Sequence, residues 1–245
     1  MLETREGQPV PEVTFVTRQA NDWKMIKSAD LFKDKTVIVF ALPGAYTPTC
    51  STTHLPRYNE LAPVFKENGV DEIVCLSVND GFVMQAWQED QHAEHITFIP
   101  DGNGDFSAGM GMLVDKAELG FGKRSWRYSM LVKNGVIEKM FIEQEEPGDP
   151  FKVSDGDTML NYLNPNAIQP KRVTVFSKPG CSHCQRAKAL LSANDLAYEE
   201  IELGSHGLSF SSLMAVTGAG TTPQIFIDGD LIGSADDLES YLNSK

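Results

Sequence analysis

The chain is short of cysteine, short of cations and without a long apolar run. Four cysteines in 245 residues cannot form the dense disulfide framework of small secreted domains, so Cys50, Cys181 and Cys184 read as working thiols rather than staples. Cys75, inside an apolar stretch, is the exception and reads as structural. Twenty-one basic residues stand against 34 acidic ones, a net charge of -13. That argues against nucleic acid or an anionic membrane surface as the main partner. No apolar stretch approaches the roughly 20 residues that span a bilayer, and Met1-Leu2-Glu3-Thr4-Arg5-Glu6-Gly7 lacks the basic-then-apolar order of a signal peptide. These absences point to thiol chemistry in a reducing cytoplasm, with no membrane attachment.

Two segments hold the working thiols, and each follows a run of strand character. Thr36-Val37-Ile38-Val39-Phe40-Ala41-Leu42 is predicted to be a buried central strand, and it feeds directly into the loop that ends at Cys50. Further strands are expected at Glu72–Val78 and Ile96–Pro100, with helices around Leu55–Lys66 and Gly81–His92 between them, which is βαβ alternation. Arg127–Lys133 and Val136–Ile142 flank Asn134-Gly135, a dipeptide suited to a tight hairpin. After a helix at Thr158–Leu163, the segment Asn164-Pro165-Asn166-Ala167-Ile168-Gln169-Pro170 has two prolines and little to bury, as a linker would. The pattern then restarts as β-α-β-α-β-β-α, with a second hairpin turn at Asp228-Gly229. That is a thioredoxin-like order.

A thiol reduces a hydroperoxide only as the thiolate, and helix N-termini and neighbouring cations favour that form. Cys50 is expected in the first turn of a helix. Pro43-Gly44-Ala45-Tyr46-Thr47-Pro48-Thr49-Cys50 has the spacing P-x-x-x-T-x-x-C, which resembles the active-site loop of peroxiredoxins; Cys50-Ser51-x-Thr53-His54-Leu55-Pro56 is similar to the type-5 subfamily in particular. The resemblance implies Cys50 as nucleophile, Thr47 as a hydrogen-bond partner of the peroxide, Pro43 as a shield against water, and Arg127, in Trp126-Arg127-Tyr128-Ser129-Met130, as the cation beside the thiolate. His54 admits two readings, a packed helix residue or a group that tunes the thiolate.

Val173-Thr174-Val175-Phe176-Ser177-Lys178-Pro179-Gly180-Cys181-Ser182-His183-Cys184 places a C-x-x-C where a strand turns into a helix, and the segment resembles glutaredoxins. The similarity extends to Thr221-Thr222-Pro223 and to Gly233-Ser234-Ala235-Asp236-Asp237. By that resemblance Cys181 is the nucleophile with Cys184 as its partner, Lys178 pairs with the glycyl carboxylate of glutathione, Pro223 is cis, and Thr222, Pro223, Gly233, Ala235 and Asp236 line the groove. Ser182-His183 replaces the family's usual Pro-Tyr or Pro-Phe. Zinc is a weaker reading of Cys181, His183 and Cys184, because adjacent ligands compete and no second C-x-x-C exists. Asp101-Gly102-Asn103-Gly104-Asp105 mimics a calcium loop, but Phe106 stands at the required glycine and Met112 at the bidentate glutamate.

The resemblances imply an α/β chain of two thioredoxin-fold domains, each a mixed central sheet flanked by helices: a type-5 peroxiredoxin domain at residues 1–163, a linker at 164–170 and a glutaredoxin domain at 171–245. The expected activity is glutathione-dependent reduction of hydrogen peroxide and alkyl hydroperoxides. No bound cofactor is expected, glutathione serving as reducing cosubstrate, and the type-5 likeness implies a homodimer or higher homo-oligomer. Two rivals remain at this level: a peroxidase and a protein deglutathionylase acting independently, or a peroxide-sensing switch that binds a partner.

Overall fold

The computed structural model describes residues 2–19, 22–146, 148–194, 196–204 and 207–244. The chain divides into two compact units, Met1–Ile168 and Gln169–Lys245.

In the first unit the elements run β1 (Thr14–Gln19), β2 (Asp22–Lys27), α1 (Ser28–Phe32), β3 (Thr36–Leu42), α2 (Leu55–Glu67), β4 (Glu72–Ser77), α3 (Gly81–Asp90), β5 (Thr97–Pro100), α4 (Asp105–Gly109), β6 (Leu113–Asp115), β7 (Lys123–Ser125), β8 (Tyr128–Lys133), β9 (Val136–Ile142) and α5 (Gly156–Leu163). The central sheet has the order β5-β4-β3-β8-β9. β3, β4 and β5 are parallel, while β8 and β9 join antiparallel through the Asn134-Gly135 turn, both residues at positive φ. β3 sits at the centre, and its alternation divides the core. Ile38, Phe40 and Leu42 face a layer with Tyr58, Leu61, Phe65, Trp87 and Leu160. Val37, Val39 and Ala41 face the opposite layer, with Phe15, Phe32, Phe106 and Met110. Because both faces are covered, β3 reads as an uninterrupted apolar run rather than an alternating one.

Two antiparallel pairs, β1–β2 and β6–β7, lie outside what the sequence pattern indicated. β2 is exposed along nearly all its length, so it has no buried face to generate a period-two signal. The Asp101 loop is a capping device. The Asp101 carboxylate accepts from the N–H groups of Phe106 and Ser107 and from the Ser107 hydroxyl, at 2.7–3.0 Å, and so holds the start of α4. Asn164, expected in the linker, donates to Asn68 Oδ1 at 2.8 Å, and Ala167 packs against the first unit's core.

The second unit runs β10 (Val173–Ser177), α6 (Ser182–Ala193), β11 (Glu199–Glu202), α7 (Phe210–Thr217), β12 (Gln224–Ile227), β13 (Asp230–Gly233) and α8 (Ala235–Asn243). Its sheet has the order β11-β10-β12-β13, with β10 and β11 parallel and the other pairs antiparallel. Val173, Val175, Ile225 and Ile227 pack against Ala187, Leu191 and Leu238. Among the described residues no helix is long and apolar enough to cross a membrane.

Phe40 is fully buried and stacks on Tyr58 with ring centroids 4.3 Å apart. Phe40→Ala is expected to destabilise the first unit by about 3–5 kcal/mol. A lower urea midpoint followed by tryptophan fluorescence would register it, since Trp23, Trp87 and Trp126 all lie in that unit.

Candidate active site

After β3 the chain crosses Pro43 and Gly44, turns, and enters a helical stretch at Pro48. The loop is pinned from β4's side: the Asn79 side-chain oxygen accepts from Ala45 N–H at 3.0 Å and from the Ser77 hydroxyl at 2.8 Å. Thr47 donates its hydroxyl to Gly44 O at 2.8 Å. That bond fixes the rotamer and leaves oxygen lone pairs to accept from a further donor.

Cys50 does not begin an ordinary α-helical turn. Cys50–His54 is a π-helical turn, closed by Leu55 N–H donating to Cys50 O. Pro56 follows and has no N–H to return to Thr52 in α-helical register, so the ladder is already broken at this point. The wider turn places Cys50 and His54 on the same, buried side. Ser51 takes a bond from the Trp87 indole at 3.0 Å, which anchors the turn to α3.

Arg127 reaches this pair from the residue before β8, which lies beside β3. It is 1% exposed. Its Nη2 lies 3.5 Å from Cys50 Sγ and donates to both oxygens of Asp149, at 2.5 and 2.6 Å. Its Nη1 donates to His54 Nδ1 at 3.0 Å, and Phe151 lies against the guanidinium carbon at 5.5 Å. Burial works against the Arg127 charge, but Cys50 and Asp149 outweigh it and hold the guanidinium above its ordinary value. Nε is buried with no hydrogen-bond partner among the described residues.

His54 is pushed down to about 3 by burial and then by Arg127, against the opposing bond to Ser154. It is therefore a neutral ring. Because an arginine can only donate, Nδ1 is the acceptor, and the proton sits on Nε2, which donates to Ser154 O at 3.1 Å. Both readings of His54 thus meet in one residue: it is packed and hydrogen-bonded, and it touches the guanidinium that faces Cys50. Cys75 is buried in β4, and burial and then Cys50 push its thiol well up, so it is a neutral packing residue.

The loop that carries Asp149 and Ser154 is itself tied to a buried carboxylate. Glu143 Oε1 accepts from the N–H groups of Lys152, Val153 and Ser154, each at 2.9 Å, and from the Ser154 hydroxyl at 2.8 Å. Burial raises the Glu143 carboxyl, but these four donors outweigh it and leave it below its ordinary value. Beside Arg127 opens a cavity of about 190 Å³, lined by Pro43, Thr47, Arg127 and Asp149 together with apolar groups from the β6–β7 region.

In the second unit Cys181 caps the N-terminus of α6 and is joined to Cys184 by a disulfide. Cys181 Sγ accepts from Cys184 N–H at 3.1 Å and lies 3.7 Å from both oxygens of Thr222. The Thr222–Pro223 peptide is cis. Gly233 has φ +111°, and a Cβ there would lie 2.6 Å from Asp237 Oδ2, so both conformation and space call for glycine. Ser234 caps α8 in a reciprocal box with Asp237. The Ala235 side chain is in the core, which leaves only its backbone for a ligand. The Lys178 ammonium lies 5.6 Å from the Phe210 ring centroid. The Asp236 carboxylate, assigned by resemblance to glutathione, is paired here with Arg186.

The Redoxin family model matches residues 5–160 and the Glutaredoxin model residues 173–232. The chain belongs to the peroxiredoxins, with a glutaredoxin domain fused behind. It is 62% identical to hybrid peroxiredoxin hyPrx5 of Haemophilus influenzae, over 98% of this chain and 99% of that one. It is 49% identical to peroxiredoxin sll1621 of Synechocystis, over 68% of this chain and 97% of that one. The crystal structure of reduced Prx3 from Vibrio vulnificus in complex with hydrogen peroxide matches with a TM-score of 0.62 at 40% identity, over 66% of this chain and 99% of that one. The protein is accordingly a thiol peroxidase, built from a peroxiredoxin domain and a glutaredoxin domain.

In the peroxiredoxin domain Asp149, Glu143, Ser154 and Phe151 escaped sequence reasoning. They sit in an irregular stretch where no periodicity marks a partner, and Asp149 meets Arg127 across 22 residues. Glu143→Gln is expected to cost about 1.5–3 kcal/mol at pH 7 by replacing a charged acceptor. The carboxyl titrates lower folded than unfolded, so its contribution is complete above about 4.5 and is lost as pH falls through the folded value. The stability gap between the two proteins, measured by urea unfolding, should therefore narrow on acidification.

Proposed function

We propose that the protein reduces hydrogen peroxide and alkyl hydroperoxides at the expense of glutathione, its glutaredoxin domain recycling its peroxiredoxin domain. The observation that carries the first half is the Arg127 guanidinium, dry, charged and 3.5 Å from Cys50 Sγ. The Cys50 thiolate attacks the terminal peroxide oxygen; an S–O bond forms, the O–O bond breaks, and sulfur loses two electrons. The departing oxygen takes a proton to become water or an alcohol. Thr47 accepts from the peroxide O–H, Arg127 donates to the negative charge that builds on the oxygens, and buried Pro43 limits water.

The sulfenic acid must then meet a thiol before further oxidation. Cys75 is neutral and buried, which favours an external thiol, and the glutaredoxin domain points to glutathione. Condensation releases water and leaves a Cys50–glutathione disulfide. Once glutathione has reduced the Cys181–Cys184 disulfide to the dithiol, the Cys181 thiolate attacks the glutathionyl sulfur, freeing Cys50, and a second glutathione releases oxidised glutathione from Cys181. The sum is one hydroperoxide and two glutathiones to one alcohol, one water and one glutathione disulfide. Lys178, Thr222, Pro223, Gly233, Ala235 and Asp236 hold the tripeptide; Asp236 must exchange Arg186 for the γ-glutamyl ammonium. Fusion raises the effective concentration of the reductant. The enzyme works in the cytoplasm as a homodimer or larger homo-oligomer, with no nucleic-acid or membrane partner.

The test is peroxide-dependent NADPH oxidation with glutathione and glutathione reductase. Cys181→Ser should fall to the rate that free glutathione alone supports, and Cys184→Ser should retain most of its turnover. Full activity in Cys181→Ser would mean that the two domains act independently.

A further inference from the structure

The cavity beside Arg127 contains a second cation that the peroxidase cycle does not use. Lys116 lines it, with Leu119, Phe121, Trp126, Pro48 and Pro150 forming apolar wall. The Lys116 ammonium lies 4.6 Å from the Trp126 ring centroid, and that ring is fixed by its N–H donating to Glu143 O at 2.8 Å. The lysine backbone is held as well: its N–H donates to Gly122 O, and its carbonyl accepts from Leu119 and Phe121. The contact with Trp126 sets the ammonium at the cavity wall.

The charge balance decides what it can bind. Arg127 is gripped by both carboxylate oxygens of Asp149 and faces Cys50, so its charge serves the reacting end of the cavity. Among the described residues no carboxylate lies within ion-pair distance of Lys116. Asp149, the acidic group lining the cavity, is already engaged. Lys116 is thus a cation of the cavity wall with no carboxylate partner among the described residues, in a chain of net charge -13. An anionic substrate is repelled by the molecule as a whole, so a local cation on an apolar wall is where one would be held.

We propose that Lys116 is a carboxylate subsite, and that the cavity selects amphipathic hydroperoxides with an acid group remote from the peroxide. The apolar body lies against Leu119, Phe121 and Trp126, the carboxylate meets the Lys116 ammonium, and the peroxide points past Thr47 to Cys50. The reaction keeps its balance: the thiolate takes the terminal oxygen, the O–O electron pair leaves with the alkoxide, which is protonated to the hydroxy acid, and the carboxylate is unchanged.

This rests on Cys50 being the peroxide-reactive thiol, and the experiment separates the two claims. Single-turnover oxidation of Cys50 in the full chain is followed by mass spectrometry, using octanoate with a hydroperoxide at its far end and the methyl ester of that acid. The ratio of the second-order rate constants, acid over ester, should fall about 2–5-fold in Lys116→Met, the size of one partly exposed ion pair. It should fall further in Lys116→Glu and return towards the original in Lys116→Arg. A ratio that stays constant across these variants, or acid and ester rates that fall together, would overturn the subsite. Wild-type protein whose Cys50 resists hydrogen peroxide would instead overturn the underlying peroxidase reading.

Discussion

A guanidinium removed from water is expensive unless its donors are paired, and the peroxiredoxin domain is organised around pairing the two terminal nitrogens of one, its Nε staying without a partner among the described residues. Arg127 is 1% exposed. Asp149 meets it with two short bonds, His54 accepts a third, and Phe151 covers its face. The same Nη2 that holds Asp149 faces Cys50 Sγ at 3.5 Å. The arrangement keeps a permanent positive charge in a low-dielectric site without letting water or a mobile side chain quench it, the condition under which a fixed charge does most for a transition state. His54 suits its part because it stays neutral: a protonated ring would repel the guanidinium it supports.

The support for Arg127 is layered and runs back to the sheet. The Arg127 carbonyl accepts from Glu143 N–H at 3.1 Å, and Glu143, just past β9, gathers the N–H groups of Lys152, Val153 and Ser154. Ser154 in turn accepts from His54 and Tyr58. One buried carboxylate thus shapes the loop that supplies Asp149 and orients the histidine. The glutaredoxin domain uses the same local plan at smaller scale. A strand runs into a helix start, a cysteine stands at the N-terminus, and a threonine from a cis-proline loop lies beside the sulfur.

Much of this was legible in the chain because it is local. The β3 run, the Cys50 loop, the C-x-x-C at a helix start and both glycine turns depend on neighbours a few residues away, and Arg127 was found because its segment has a recognisable pattern. The π-helical turn was not read, since it depends on where Pro56 breaks the ladder rather than on any periodicity. Asp149 and Glu143 were missed for another reason: a carboxylate in an irregular loop looks the same whether it faces solvent or a buried arginine. Asp236 shows the limit of resemblance, because Arg186 occupies its carboxylate in a way that the matching motif alone does not reveal.

The central claim is that the buried Arg127 charge activates Cys50 and stabilises the breaking O–O bond. It is tested most directly by the second-order rate constant for hydrogen peroxide oxidation of Cys50 in Arg127→Gln, with urea unfolding run alongside to confirm a folded domain. A fall of about 10²–10³-fold is expected in a protein that still unfolds cooperatively. A folded variant that reacts at the original rate would contradict it.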